Sequence, residues 1–476
     1  MSDLGLTIPQ IDDLLAPYVE KSYKRLIENG YSETAAWEKL KKVVYKKLKS
    51  IQYKIECVNN AGGQTPFLTF TFGTNTTEFG RIISREMIRV RKNNMAIFPK
   101  LILLCHDDIN TAEGSPNYDI YLESIRCSMV RLYPDYCSAN QGQLKEIYDR
   151  CGTIVSAMGC RAYLTPYWDE NGVERYIGRF NLGCISLALP RYAIMANGDK
   201  EEFFRIIDKY FDYAMEVHMI TYEKLRNTKA KTNPLLFVEG GCLVKLDPED
   251  TIEKALESCT YSIGYIGLEE VSYLLTGKHL HEDNSFAEEV LKYLNAKIDK
   301  AKKETGKLIA LYATPSEGMC HKMADADREI FGVIEGVTDK EYYENSYHVG
   351  SRFLIPALDK QEIENPLFHL SNGGHITYCE YPMIDNFEAY KAIIDNHVRL
   401  GQYCGVNVLV SDCNECGASG DFKDVCSECG SPDITTISRC CGYLGYHKQN
   451  GDTRYNKGKH AEVDARIRHF GIVKNN

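Results

Sequence analysis

The chain has 476 residues, 44% of them hydrophobic, and a formal net charge of −10. This length can bury a large core and predicts two or three structural units. The acidic balance argues against a nucleic-acid-binding surface over the whole protein, so we expect no nucleic-acid partner. No apolar segment follows Met1 and no stretch approaches membrane-spanning length, so we expect a cytoplasmic protein without membrane contact.

In chain order, the sequence begins with two predicted helices, at 10–29 and 33–51, and Ser32 is a natural N-cap for the second. Strands and helices then alternate: strands are predicted at 67–72, 96–108, 235–244 and 307–313, and helices at 117–133 and 285–304. Alternation of this kind predicts an α/β fold with largely parallel strands and active loops at their carboxyl ends. The composition changes near residue 411, where a Cys/Gly/Asp-rich segment begins.

Eighteen cysteines in a cytoplasmic chain of this length are unsuited to a disulfide framework. Five of them are interpreted as ordinary buried thiols: Cys57, Cys105, Cys127, Cys242 and Cys259. Four others form two C-x-x-C pairs nine residues apart: Cys413, Cys416, Cys426 and Cys429. Two such pairs make the tetrahedral sulfur cage that structural zinc prefers, although a redox dithiol or an iron–sulfur cluster is an alternative.

Three further motifs have both a structural and a chemical interpretation. "TPSEG" at 314–318 follows a strand and starts a helix, so its backbone N–H groups are suited to bind phosphate; the alternative is that Ser316 is a plain N-cap of the helix. Cys160, between Gly159 and Arg161, is either an exposed reactive thiol or a buried one. The pair Cys440–Cys441 before Gly442 is either a plain turn or a functional segment.

Taken together, these segments resemble the large catalytic component of class III, anaerobic ribonucleoside-triphosphate reductases, which are glycyl-radical enzymes. The matching blocks run in the family's order along almost the whole chain: "GGQTPF" (62–67), "IFPK", "SPNYDIYLESIRCSMVRLYPD", "AMGCRAYL", "GRFNLGCISLALPRYAI", "TPSEGMCHKMADADREIFG", "TDKEYYENSYHV", "NGGHITY", the paired cysteine knuckles and "SRCCGYLG" with "GDTRYNKGK".

The resemblance implies a ten-stranded α/β barrel, with its N-terminal strands missing from this chain, and a C-terminal zinc-binding and glycyl-radical segment. It divides the chain into N-terminal helices at 1–60, a catalytic core at 61–410 and the radical domain at 411–476. The implied activity is reduction of ribonucleoside triphosphates to 2′-deoxyribonucleoside triphosphates. The electron donor, formate or a thiol protein, is left open.

By the same resemblance, Gly442 is the radical glycine, installed by a radical-SAM activating enzyme, and Cys160 is the thiyl cysteine. Met158 and Asn181 line the site. The implied phosphate-binding residues are Thr314, Pro315, Ser316, Glu317 and Gly318. The zinc cage anchors the radical segment, and Cys440 and Cys441 receive no role.

One departure from the family is that the chain starts only a dozen residues before the "LAPYV" helix. We therefore expect a separate polypeptide to supply the first barrel strands and a second active-site cysteine, with helices 10–29 and 33–51 at the junction and a dimer of such pairs. Cys184 or Cys320 could replace that cysteine, although buried packing is the simpler interpretation of both. The alternatives are a different glycyl-radical enzyme and a non-catalytic partner of a complete reductase.

Overall fold

The computed structural model describes residues 5–57, 67–382, 385–422, 424–449, 452–453 and 455–467. Its α-helices are α1 Ile11–Glu28, α2 Glu33–Cys57, α3 Glu78–Asn93, α4 Tyr118–Arg131, α5 Gly142–Cys151, α6 Leu189–Ala196, α7 Lys200–Arg226, α8 Pro234–Phe237, α9 Glu253–Leu256, α10 Leu268–Thr276, α11 Ser285–Thr305, α12 Glu317–Phe331, α13 Ala357–Leu370, α14 Phe387–Arg399 and α15 Lys457–Ala465. Its strands are β1 Leu6–Ile8, β2 Leu68–Phe72, β3 Lys100–Cys105, β4 Asp135–Ser138, β5 Tyr167–Trp168, β6 Glu174–Arg175, β7 Asn181–Ala188, β8 Thr260–Ile266, β9 Leu308–Ala313, β10 Thr377–Glu380, β11 Tyr403–Asn407, β12 Val410–Cys413, β13 Ser419–Gly420, β14 Ile434–Arg439, β15 Leu444–Gln449 and β16 Asp452–Thr453.

The largest sheet has six strands in the order β1-β2-β3-β4-β11-β10. Its first four strands are parallel, β11 and β10 are parallel to each other, and β4 meets β11 in antiparallel register. Every residue of β3, "KLILLC", is buried, as expected for a parallel strand covered by helices on both faces. The predicted strands at 67–72 and 96–108 are therefore confirmed, with tighter bounds.

A second parallel sheet has three strands in the order β7-β8-β9. The two sheets meet at Gly374, which forms isolated bridges to Ala162 and to Tyr312. The α/β class is confirmed, but the predicted ten-stranded barrel is not. Within the described residues the parallel strands lie in separate sheets of six and three, and the chain around Gly374 makes single bridges rather than a paired strand.

The N-terminal helices confirm the predictions at 10–29 and 33–51. On α2 the side chains of Leu40, Val44 and Leu48 recur every four residues, and all three are buried against the core under the six-stranded sheet. A second apolar core joins the three-stranded sheet with α7 and α11 and with one face of the six-stranded sheet, including Ile102 and Leu104 of β3. Helix α7 is fixed at its start by Asp199, whose carboxylate accepts hydrogen bonds from two N–H groups of the first turn.

The C-terminal segment forms a separate antiparallel sheet in the order β13-β12-β14-β15-β16. It starts at Val410, at the predicted change of composition. The hairpin β14–β15 carries Gly442 in its connection. The predicted domain bounds at 60 and 410 stay predictions.

Two predictions about individual segments are wrong. Residues 235–244 form no strand: Pro234 starts α8, the Asn233 side chain accepts a hydrogen bond from Leu236 N at 3.3 Å, and Gly240 reverses the chain with a φ of 93°. Cys57, at the end of α2, is exposed rather than buried. Among the helices of the described residues, none is long and apolar enough to cross a membrane.

Candidate active site

Cys160 lies at the tip of a tight loop between α5 and β5. Main-chain hydrogen bonds join Met158 and Ala162 in both directions, at 2.7 and 3.1 Å. Gly159 adopts a φ of 61°, which allows the chain to reverse there. Because Ala162 also bridges Gly374, the loop is fixed at the junction of the two sheets. The half-buried thiol of Cys160 is thus presented from a rigid support.

Gly442 lies directly against this loop. A Cβ atom built on Gly442 would be 3.3 Å from both Cβ and the carbonyl oxygen of Cys160, and 3.2 Å from Nε of Arg161. Any side chain at this position would force its neighbours to move. The structure therefore brings together the two residues to which the family resemblance gives the radical roles, although they are far apart in sequence.

A fully buried charge cluster lies beside this pair. Lys100 Nζ donates hydrogen bonds to the carbonyl oxygens of Cys160, at 2.9 Å, and of Gly442. Asp135 lies 3.1 Å from Lys100 Nζ and 2.7 Å from Arg439 Nη2. Burial lowers the pKa of Lys100 even though the Asp135 carboxylate acts in the opposite direction. Burial also disfavours the charge of Arg439, but Asp135, Tyr133 and Tyr403 together outweigh it, and the pKa of Arg439 is raised.

A polar row continues from Cys160 along the three-stranded sheet. The Cys160 thiol is 3.7 Å from the hydroxyl of Tyr312, whose pKa is raised mainly by burial. The Cys184 thiol, on β7, is 3.7 Å from Ser186 Oγ and 3.9 Å from Thr314 Oγ1. Ser186 Oγ donates to Thr314 Oγ1 at 2.8 Å. The row thus connects the thiol of Cys160 with the start of the 314–318 turn.

The 314–318 turn leads into α12 next to the glycine loop. Ser316 occupies the N-cap position of α12 with a left-handed φ of 38°, but its hydroxyl makes no capping hydrogen bond, so it does not cap the helix through its side chain. The Cys441 thiol donates to the carboxylate of Glu317. The helix start and the loop that carries Gly442 are therefore in direct contact.

The remaining predicted residues differ in their position relative to Cys160 and in their burial. Met158 lies in the Cys160 loop, and Asn181 begins β7, where its amide donates to Ser262 Oγ at 2.5 Å. Cys184 is exposed, so the packing interpretation is wrong for it. Cys320 is buried in an apolar cluster with Ala324 and other residues of α12 and its surroundings, so the packing interpretation holds there.

The four knuckle cysteines form a compact sulfur cluster on the C-terminal sheet. Cys413 and Cys429 are 3.6 Å apart between their sulfur atoms, as are Cys416 and Cys426. All four sulfur atoms lie within 4.8 Å of one another. Zinc–sulfur bonds of about 2.3 Å in a tetrahedron place sulfur atoms about 3.8 Å apart, so the cluster fits this ion. Hydrogen bonding, led by the backbone N–H of Cys416, lowers the pKa of Cys413 to about 7, which favours the thiolate.

Sequence reasoning missed the buried charge cluster. Lys100 and Asp135 both lie inside blocks that match the family, but neither was given a role. The sequence did contain a signal for this cluster, namely a lysine and an aspartate at the starts of apolar strands. Charged side chains are costly to bury without partners, so two of them at such positions indicate a buried ion pair. The block at 62–66 falls outside the described residues.

The fold is of the α/β class, and comparison with known proteins specifies the family. A family model described as "Anaerobic ribonucleoside-triphosphate reductase" matches residues 5–469. The protein of that name from Escherichia coli (strain K12) is 35% identical over 495 residues, which cover 98% of this chain and 68% of the relative. That of Enterobacteria phage T4 is 33% identical, covering 98% and 79%.

Solved structures agree on the fold. A structure named "Anaerobic ribonucleotide reductase" superposes with a TM-score of 0.69 at 17% identity, covering 94% of this chain and 68% of that one. The anaerobic ribonucleotide reductase of Thermotoga maritima with dATP bound in the specificity site gives 0.67 at 18% identity, covering 94% and 73%. The chain belongs to the anaerobic ribonucleoside-triphosphate reductase family and is an oxidoreductase of that class.

The family match also bears on the two alternative functions and on the expected partner chain. The family match disfavours a different glycyl-radical activity and a purely regulatory role. The expected separate N-terminal polypeptide is not supported either, since the curated relatives align with 98% of this chain.

Proposed function

We propose that this chain reduces ribonucleoside triphosphates by transfer of a radical from Gly442 to Cys160 and from there to the substrate. The observation that carries the proposal is the close approach of the two residues: a Cβ atom built on Gly442 would lie only 3.3 Å from the Cβ atom and the carbonyl oxygen of Cys160. Glycine suits the storage role because an α-carbon without a side chain can flatten and spread the spin onto the flanking amides. Burial of Gly442 and of the charge cluster beside it limits the access of water to the pair.

The chemistry proceeds as a chain of hydrogen-atom transfers. The Gly442 radical takes a hydrogen atom from the Cys160 thiol, which leaves an intact glycine and a thiyl radical. The thiyl then takes the hydrogen at C3′ of the ribose, and the C3′ radical allows the 2′-hydroxyl to leave as water. Two electrons and two protons from an external donor, formate or a thiol protein, complete the reduction, and the hydrogen atom returns to C3′.

The 314–318 turn and the polar row are the proposed substrate contacts. Thr314 and the start of α12 offer a hydroxyl, backbone N–H groups and the positive end of a helix dipole to the phosphates. Tyr312 and Cys184 line the path between this turn and Cys160. Met158 and Asn181 are proposed to border the ribose site.

Two further components belong to the proposal. The four-cysteine cluster holds one structural zinc ion, which fixes the base of the strands that present Gly442. A radical-SAM activating enzyme installs the radical. A dimeric assembly stays a prediction.

The test compares three variants after anaerobic activation with such an enzyme, S-adenosylmethionine and a reductant. The native protein should give a glycyl doublet by EPR and form deoxynucleotides. Gly442→Ala should give neither, whereas Cys160→Ser should give the doublet without product, because activation precedes substrate chemistry. Cys151→Ser, an exposed thiol at the end of α5, is the matched control and should retain both.

A doublet that survives in Gly442→Ala would assign the radical to another residue. Product formation by Cys160→Ser well above background would show that another cysteine forms the thiyl radical. Cys184 would be the next residue to test.

A further inference from the structure

The ammonium group of Lys100 has three N–H donors, and each has a partner. One donates to the carbonyl oxygen of Cys160 at 2.9 Å, one to the carbonyl oxygen of Gly442 and one to Asp135 at 3.1 Å. Lys100 and Asp135 are both completely buried. A charged group is placed in a protein interior only where its bonds compensate the lost hydration, and here two of the three bonds go to the main chain of the reacting residues.

The surrounding groups fix this arrangement from both sides. Tyr403 OH donates to the Cys160 carbonyl at 3.2 Å and lies 3.3 Å from Asp135. Arg439, three residues before Gly442, binds the other oxygen of the same carboxylate at 2.7 Å and the Val406 carbonyl at 3.1 Å. The main chains of both radical residues are therefore tied to one carboxylate on β4.

We propose that Lys100 is a positioning residue that holds the main chains of Gly442 and Cys160 at the separation needed for hydrogen-atom transfer. This inference rests on the proposed function. Lys100 neither gains nor loses a proton: the hydrogen atom moves from the Cys160 sulfur to the Gly442 α-carbon, and the ammonium keeps its three bonds. The same ammonium donates to the carbonyl over which the glycyl spin spreads, so it lies within reach of the unpaired electron.

The first experiment replaces the donor. Lys100→Met removes the ammonium group but keeps an unbranched side chain only one atom shorter, and Asp135 retains Arg439 as its partner. At equal glycyl-radical content by EPR, kcat should fall about 100-fold, with KM changed by less than about twofold, because small misplacements of reacting atoms have effects of that order. Tyr403→Phe, which removes the second bond to the Cys160 carbonyl together with the contact to Asp135, should lower kcat in the same direction by a smaller factor.

Lys360→Met is the matched control. Lys360 is also buried, and it bonds a carboxylate, Glu364 at 2.6 Å, and a main-chain carbonyl, that of Tyr378 at 3.0 Å. A purely structural effect of losing a buried lysine should appear in both variants as reduced stability. Only Lys100→Met should lose kcat per radical.

A second measurement is made on the native protein and therefore does not depend on the folding of a variant. Native protein labelled with [ε-15N]lysine and then activated should show a weak 15N coupling to the glycyl radical by ENDOR. Absence of this coupling, or native kcat per radical in Lys100→Met, would overturn the proposal. Both readouts are made on enzyme that already carries its glycyl radical, so failure of the proposed function itself is seen earlier, as a missing Gly442 signal in the native protein or an active Cys160→Ser.

Discussion

Gly264, on β8, controls the space around the proposed phosphate turn. A Cβ atom there would lie 1.9 Å from Thr314 Oγ1 and 2.5 Å from Ser186 Oγ. Gly264→Ala should therefore push the Thr314 hydroxyl aside and raise KM for the ribonucleoside triphosphate about tenfold, the order of one lost hydrogen bond to a charged group. Steady-state kinetics of the activated enzyme measure this, with kcat changing less than KM.

Gly183, on the neighbouring strand β7, provides the control. A Cβ at Gly183 meets no atom within 4 Å. Gly183→Ala should leave KM close to that of the native enzyme. An unchanged KM in Gly264→Ala would argue that Thr314 does not contact the substrate.

At the scale of single residues, sequence reasoning identified those whose chemistry is unusual for their position. A cysteine between glycine and arginine, and a glycine after two cysteines, were found through their place in family blocks. Lys100 was not, because lysine is ordinary in sequence and becomes informative only when its burial and its two carbonyl partners are known. Burial of a polar residue depends on the whole fold.

The C-terminal sheet depends on its sulfur cluster. Strand β12 ends at Cys413 and pairs with β14, which leads to Gly442. Cys413→Ser should abolish binding of the zinc ion and loosen β12–β14, since metal binding and local folding are coupled in such small ribbons. Metal analysis of anaerobically purified protein and limited proteolysis should show one zinc per chain in the native protein and early cleavage in the variant.

Cys57→Ser, an exposed cysteine outside the cluster, should retain the metal and the native cleavage pattern. Iron with visible charge-transfer bands, or a protein without metal that resists proteolysis, would contradict the zinc assignment.

At the scale of elements, periodic segments were predictable and mixed ones were not. The helices α1 and α2 and the strands β2, β3 and β9 follow their apolar patterns. The segment 235–244 was predicted as a strand because its apolar run is short, and a run of that length does not distinguish a strand from a buried turn. Pro234 and Gly240 decided its conformation.

Buried histidines give the whole molecule a predictable response to acid. Burial lowers the pKa of His348 to about 4, of His375 to about 3 and of His397 to about 4. An unfolded histidine titrates near 6.5, so between pH 6.5 and 4 the unfolded chain binds protons that the folded chain does not. The free energy of unfolding should therefore fall as the pH is lowered through this window.

His397 is suited to a direct test because its Nδ1 bonds the amide oxygen of Gln402, at 2.5 Å, rather than a charged group, and because it lies outside the proposed site. Linkage gives it a share of about 2 kcal/mol between pH 7 and pH 5. In His397→Gln, urea unfolding should depend less steeply on pH by about that amount. If the free energy of unfolding changed with pH in parallel for the two proteins, His397 would bind its proton equally well in the folded and unfolded states, and the lowered pKa would be wrong.

The overall architecture was predictable only as a class. Alternating strands and helices indicated parallel α/β structure, which the two sheets confirm. Whether the sheets close into a barrel could not be predicted from the sequence, because closure depends on whether the chain near Gly374 pairs along its length or at one residue. That difference is set by packing across the interior rather than by local pattern.

The burial of Gly442 also bears on when the proposed radical could be made. Gly442 and the nearby residues Cys441 and Leu444 are buried, so the Gly442 α-carbon is covered in this conformation. Under the proposed function, loading of the radical would require the β14–β15 connection to move away and to break the bonds that join Gly442 to Lys100 and Arg439 to Asp135, whereas turnover would require it in place. Loading and turnover would then exclude each other in time, and we expect the rate of activation to follow the opening of this segment rather than the supply of nucleotide.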